Sequence, residues 1–135
     1  MGCDIHLVVE FGENRFNEEA IKIRLDRCYL MFGLMAGVRG RDVLFERKGL
    51  PENLSYTTKH EYKDWKEDAH NCSWLSYEEY KKCVDKYCVI LKETYKEEEN
   101  YNIETRPNIY FVLLSLLENL QKRYKYVRIV FWFDN

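Results

Sequence analysis

Both ends of the chain alternate. From Cys3 to Phe11, the apolar residues Ile5, Leu7 and Val9 are interleaved with Asp4, His6 and Glu10. At the other end Val127, Ile129, Phe131 and Phe133 are interleaved with Arg128, Val130, Trp132 and Asp134. A period of two is the signature of a β-strand with one face on a core. Both ends are therefore expected to be strands, and terminal strands of this length commonly lie side by side at the centre of one small sheet.

The interior reads mainly as helices. Gly12 ends the first strand, and a polar connector carrying Asn14 and Asn17 leads to "RCYLMFGLMAGV". This segment is an apolar helix in which Gly33, Ala36 and Gly37 permit a neighbour to approach closely. "RGRD" reads as the helix end and turn, and "VLFE" as a short strand. From Lys48 to Ser73 no clean period survives, so the segment is expected to be a long excursion over the surface with a helical turn or two. Such excursions are often functional. Ser76 and Glu79 form a capping box that starts a helix with Tyr80, Cys83, Val84, Tyr87, Cys88 and Leu91 on one face. Within that helix Cys83 and Cys88 read as core fillers. "KEEENYN" reads as a solvated linker. Thr105 as cap and Pro107 in the first turn then open the main core helix, with Ile109, Val112, Leu113, Leu116, Leu117 and Leu120 directed inward. Three helices with two or three strands imply a single domain over residues 1–135 of α+β or α/β class. Its N- and C-terminal strands lie in one small sheet, covered by about three helices.

Composition narrows the function classes. The 135 residues are 46% hydrophobic and 16% aromatic, which places the chain among folded proteins. With 21 basic against 23 acidic residues the net charge is -2, so no global field recruits nucleic acid, although a local patch is open to it. The longest apolar runs are far below the ~20 residues of a membrane span, and nothing at the start resembles a signal peptide. Five cysteines without regular spacing read as reduced thiols, so an intracellular setting is expected. Phosphate loops of the GxxxxGK[ST] and GxGxxG types and the Gly-x-Ser-x-Gly elbow are absent from the sequence.

The candidate site is the opening strand. Side chains at i and i+2 of a strand share a face, so Asp4 and His6 point the same way, and Asp134 joins them if the terminal strands are neighbours. Two carboxylates and an imidazole on rigid strands are ligands for a divalent cation such as Zn, Mn or Mg, or an acid/base pair in which a carboxylate orients His6. The alternative is a hydrogen-bonded strand entrance with no chemistry. Asp68, His70 and Cys72 follow one another at i, i+2 spacing in the irregular segment. They offer further ligands, with His70 as acid/base. Arg39, Arg41, Arg47 and Lys48 form a basic cluster suited to phosphates. Trp65, Trp74 and Trp132 offer stacking surfaces.

Taken together, "MGCDIH", "FGLMAGVRG", "GLPENLS", "HNCSWLSYEEY" and "VRIVFWFDN" resemble a group of small proteins of bacteriophages and large DNA viruses, over nearly the whole chain. In that group the loop resembles His-x-His-Ser-aromatic-Leu, so Cys72 stands where a histidine is expected; cysteine, too, ligates soft or borderline metals. The resemblance implies a viral accessory protein, in the host cytoplasm, with no established activity attached. Two classes of function follow. One is a metal-dependent phosphoesterase acting on a nucleotide or nucleic acid, with Asp4, His6 and Asp134 as ligands. The other is a binding module for a nucleotide, a phosphodiester or a protein partner. A structural virion protein is the third reading.

Overall fold

In the computed structural model, which describes residues 2–40, 42–94 and 108–135, the two terminal strands are direct neighbours. The elements in chain order are β1 (Asp4–Gly12), β2 (Glu19–Ile23), α1 (Tyr29–Ala36), α2 (Tyr56–Trp65), β3 (His70–Ser76), α3 (Tyr77–Thr94), α4 (Ile109–Arg123) and β4 (Tyr126–Asp134), with one 3₁₀ turn at Val38–Gly40. The sheet has four strands in the order β2-β1-β4-β3, and every pair is antiparallel. The fold is therefore α+β. β1 and β4 pair along their whole length, Asp4 opposite Asp134 through Gly12 opposite Tyr126.

The alternation seen in the sequence sorts side chains onto two faces, and both are covered. Ile5, Leu7, Val9, Val127, Ile129, Phe131 and Phe133 pack with α1, α3 and α4 in one apolar core. Each large side chain buried there contributes on the order of 1.5–3 kcal/mol. The opposite face carries Asp4, His6, Val8 and Glu10 of β1 beside Arg128, Val130, Trp132 and Asp134 of β4. Val8, Glu10, Val130 and Trp132 on this face are fully buried as well. What covers them is the segment read as irregular. It contains α2, started by Ser55, whose hydroxyl accepts from the Thr58 N–H at 3.1 Å.

Several local expectations are corrected. The polar connector after Gly12 contains β2, a half-exposed edge strand too short to show a period. "VLFE" forms no strand; the Phe45 N–H donates to the Leu34 carbonyl at 3.0 Å, tying that stretch to α1. Trp74 and Leu75 belong to β3, whose register slips between His70 and Ser73, with Asn71 at φ 50°. That bulge adds a residue to the strand and interrupts its alternation. In α4, Leu113 and Leu117 are buried and Ile109, Leu116 and Leu120 pack partly buried against the core, as expected, but Tyr110 is buried with them and Val112 is instead 60% exposed. Asn108 caps this helix by accepting from the Tyr110 N–H at 2.8 Å. The linker, Thr105 and Pro107 lie outside the described residues. The capping box is present: Ser76 N–H donates to Glu79, and Glu79 N–H donates to the Ser76 hydroxyl. Cys83 is buried and Cys88 is partly buried against the core.

Candidate functional site

At the open end of the second face, His6 Nε2 is hydrogen-bonded to Asp134 Oδ2. A carboxylate only accepts, so Nε2 carries the hydrogen, and in the neutral ring Nδ1 keeps its lone pair. The ring stacks on Trp65 of α2, centroids 4.3 Å apart and 30° between planes, and lies nearly parallel to Trp132 at 5.9 Å. The Tyr62 ring meets Trp132 edge-on at 5.2 Å. His6 is thus held by a carboxylate on one side and clamped by aromatic rings, which fixes its orientation before any ligand arrives.

Asp4 shares the face but has another partner. Arg27 grips it through Nε at 2.6 Å and Nη2 at 3.2 Å. That hydrogen bond, reinforced by the guanidinium charge, holds the Asp4 carboxyl below the usual aspartate range. Beside Asp4 and His6, on the side of β1 away from Asp134, lies a cavity of about 470 Å³ lined also by Ile5, Ile23, Leu25 and the charged residues Lys22, Arg24, Asp26 and Arg27. Its volume falls in the range of small-ligand sites. His6 lines this cavity, and its Nδ1 makes no hydrogen bond with a described residue.

The remaining sequence candidates are distributed rather than gathered. His70 stands opposite Phe133, on the face of the main core, whereas His6 is on the other. Its Nδ1 meets Asn71 Oδ1 at 2.9 Å and its Nε2 meets Asn135 Oδ1 at 3.1 Å. The Asn71 amide donates to the Ala36 carbonyl, so its oxygen is the acceptor for His70 Nδ1–H. Cys72 lies in the bulge, where burial pushes its thiol up and Tyr62 is its hydrogen-bond partner. At neutral pH it is a thiol rather than a thiolate ligand. Among the described residues no group of three or more His, Cys, Asp or Glu side chains is arranged to hold a metal ion.

Two described members of the basic cluster have partners within the fold. Lys48 pairs with Glu79 at 2.8 Å and lies over the Trp74 ring, Arg39 lies over Tyr29, and Arg41 is outside the described residues. Trp132 is fully buried, which withdraws it from any stacking surface. The cations that do border the site, Lys22, Arg24 and Arg27, were missed because they sit in and after an edge strand whose pairing with β1 no local pattern announces. No helix of the described residues is long and apolar enough to cross a membrane. Comparisons with protein-family models, with curated proteins and with solved structures found no match.

Proposed function

We propose that this chain is a binding protein whose site is the cavity beside the first half of β1, and that its ligand is anionic. One observation carries the reading. An imidazole oriented by Asp134 and clamped by Trp65 borders a cavity of about 470 Å³ that also holds Lys22, Arg24 and Arg27. In this reading His6 Nδ1 accepts a hydrogen bond from the ligand and the cations neutralise its charge. Nucleotides and other phosphate-bearing molecules belong to the class, and the resemblance to small phage and viral proteins supplies the proposed setting, an accessory protein in the host cytoplasm.

The test is thermal unfolding in the presence of inorganic phosphate, AMP, ATP and polyglutamate. A ligand at about 100 times its Kd stabilises the fold by about 2.7 kcal/mol, and a rise in Tm of several degrees is expected for at least one of them. The rise should vanish in His6→Ala. An unchanged Tm across the panel overturns the reading.

A second reading rests on the register, which sets Asp4 and Asp134 opposite each other with His6 on the same face. A metal-dependent phosphoesterase would use these three as ligands for Zn, Mn or Mg, and requires Arg27 to release Asp4. Elemental analysis of the purified protein decides it: stoichiometric metal lost in Asp4→Asn supports it, and metal-free protein whose melting is unmoved by added Zn, Mn or Mg counts against it.

A further inference from the structure

The cavity beside β1 is also a gap in the sheet. β4 pairs with β1 from Asp4 to Gly12, but β2 pairs with it only from Leu7 to Phe11. At Asp4, Ile5 and His6 the β2 side of the strand therefore has no strand partner. β2 ends at Ile23, and residues 24–27 swing away to form the far wall of the cavity. Among the described residues no backbone hydrogen bond crosses from that wall to residues 4–6. Backbone groups of a strand point alternately to its two neighbours, so at least one of these three residues presents its N–H and C=O into the gap. Ile5 is only 7% exposed, and polar backbone in such surroundings calls for a partner.

The dimensions suit one more strand. Three residues of edge span about 10 Å; at a strand spacing of about 4.8 Å and a layer depth of about 10 Å, the added strand fills on the order of 500 Å³. The cavity, about 470 Å³ and open to solvent on one side, is of that order. Its two walls differ in character. On the core side stand Ile5, Ile23 and Leu25; on the α2 side stand Asp4, His6 and Lys22. Lys22 is engaged by Glu61 and Arg27 by Asp4, whereas exposed Arg24 makes no ion pair with any described residue.

Resting on the binding reading above, we propose that the ligand is an extended acidic peptide that adds a strand to β1 at Asp4–His6. Its central apolar side chain packs on Ile5, Ile23 and Leu25, and the acidic side chains flanking it reach the cations Lys22 and Arg24. Main-chain hydrogen bonds give affinity and the alternating walls give specificity, as in other cases of strand addition.

The experiment is an amide chemical-shift titration of the whole ¹⁵N-labelled chain with a blocked peptide, acetyl-Gly-Glu-Val-Glu-Gly-amide, and with the same peptide N-methylated at valine. Saturable shifts confined to residues 4–6 and 22–27 are expected. Binding should weaken about tenfold with the N-methyl peptide, which loses a strand hydrogen bond. A comparable loss is expected in Arg24→Glu. Lys59→Glu, an exposed charge reversal on α2, should leave the affinity unchanged. Equal binding of both peptides overturns strand addition. Phosphate or AMP shifting the same amides while the peptide does not overturns the peptide and leaves the anion site standing. No shift with the peptide, phosphate or AMP overturns both.

Discussion

Two hydrogen-bonded pairs span β1 and β4 on the same face of the sheet, and they serve opposite ends. Glu10 and Arg128 lie at the far end, with side-chain exposures of 0% and 6%. Glu10 accepts from Arg128 Nε at 2.8 Å, from the Ser55 N–H at 2.7 Å and from the Thr58 hydroxyl at 2.6 Å. Arg128 also donates to the Glu52 and Asn53 carbonyls and lies over the Phe16 ring. Both Glu10 oxygens have donors, and the pair anchors the start of α2. His6 and Asp134, at the open end, keep 18% and 14% of their side-chain surface, and one ring nitrogen has no hydrogen bond within the described residues. The contrast teaches that a cross-strand pair alone does not mark a site. Arg128 lines a cavity of about 350 Å³ just as His6 lines one of about 470 Å³, so saturation is what separates the two pairs: the saturated one anchors α2, whereas the other is oriented but keeps a ring nitrogen without a hydrogen bond.

The largest effect should come from unbalancing the saturated pair. Glu10→Ala leaves Arg128 buried without its counter-charge and is expected to lower unfolding free energy by about 3–5 kcal/mol in urea titrations. Replacing both members, Glu10→Leu with Arg128→Met, should recover most of that loss, because an apolar pair needs no desolvation of charge. Failure of the double variant to recover would mean that the Ser55 and Thr58 hydrogen bonds, not the ion pair, carry the anchor.

Breaking the open pair should cost less stability and more function. Asp134→Ala is expected to lose about 1–2 kcal/mol, since one partly solvated hydrogen bond disappears. It should also free the His6 ring and abolish ligand-induced stabilisation. A stability loss as large as that of Glu10→Ala would erase the distinction between the two ends.

The smallest effect is expected at Asp4. Arg27 lowers its folded pKa, so the stabilising contribution is present above the unfolded value of about 3.9 and disappears as pH falls through the depressed folded value. Asp4→Asn should therefore lower the urea midpoint slightly at pH 7, and the difference from the parent chain should fade below about pH 4 and in high salt. A urea midpoint that rises in Asp4→Asn at pH 7 would show the carboxylate to be destabilising in the fold.

The legible parts of this fold are those where a periodic pattern coincides with a buried face. β1, β4 and α3 have that property, α1 is legible instead as an unbroken apolar run buried on all sides, and the capping box of Ser76 and Glu79 is legible from its residue types. α2 escaped because only Thr58 in it is buried, and its hold on the sheet runs through a polar anchor and two aromatic rings. β2 escaped because it is a five-residue edge strand, and β3 because its bulge at Asn71 interrupts the period. Of the site, Asp4 and His6 were legible on one face from the pleat alone, and Asp134 joined them only on the condition, met in the structure, that β1 and β4 pair. The pairing of Asp4 with Arg27 was not, since residues 23 apart meet only after β2 has turned back along β1.

The sequence by itself determined that the chain ends in two strands, which side of each faces a core, and that an aspartate and a histidine share the opening strand. Strand period and side-chain polarity are local properties, and they need no partner to be read. Only the tertiary structure decided that the second face is roofed by α2, that His6 is held by Asp134 while His70 lies across the sheet, and that β2 stops short of Asp4–His6 and leaves a gap. Those are facts of register and of contact between distant residues, which the alternation of a strand permits but does not choose.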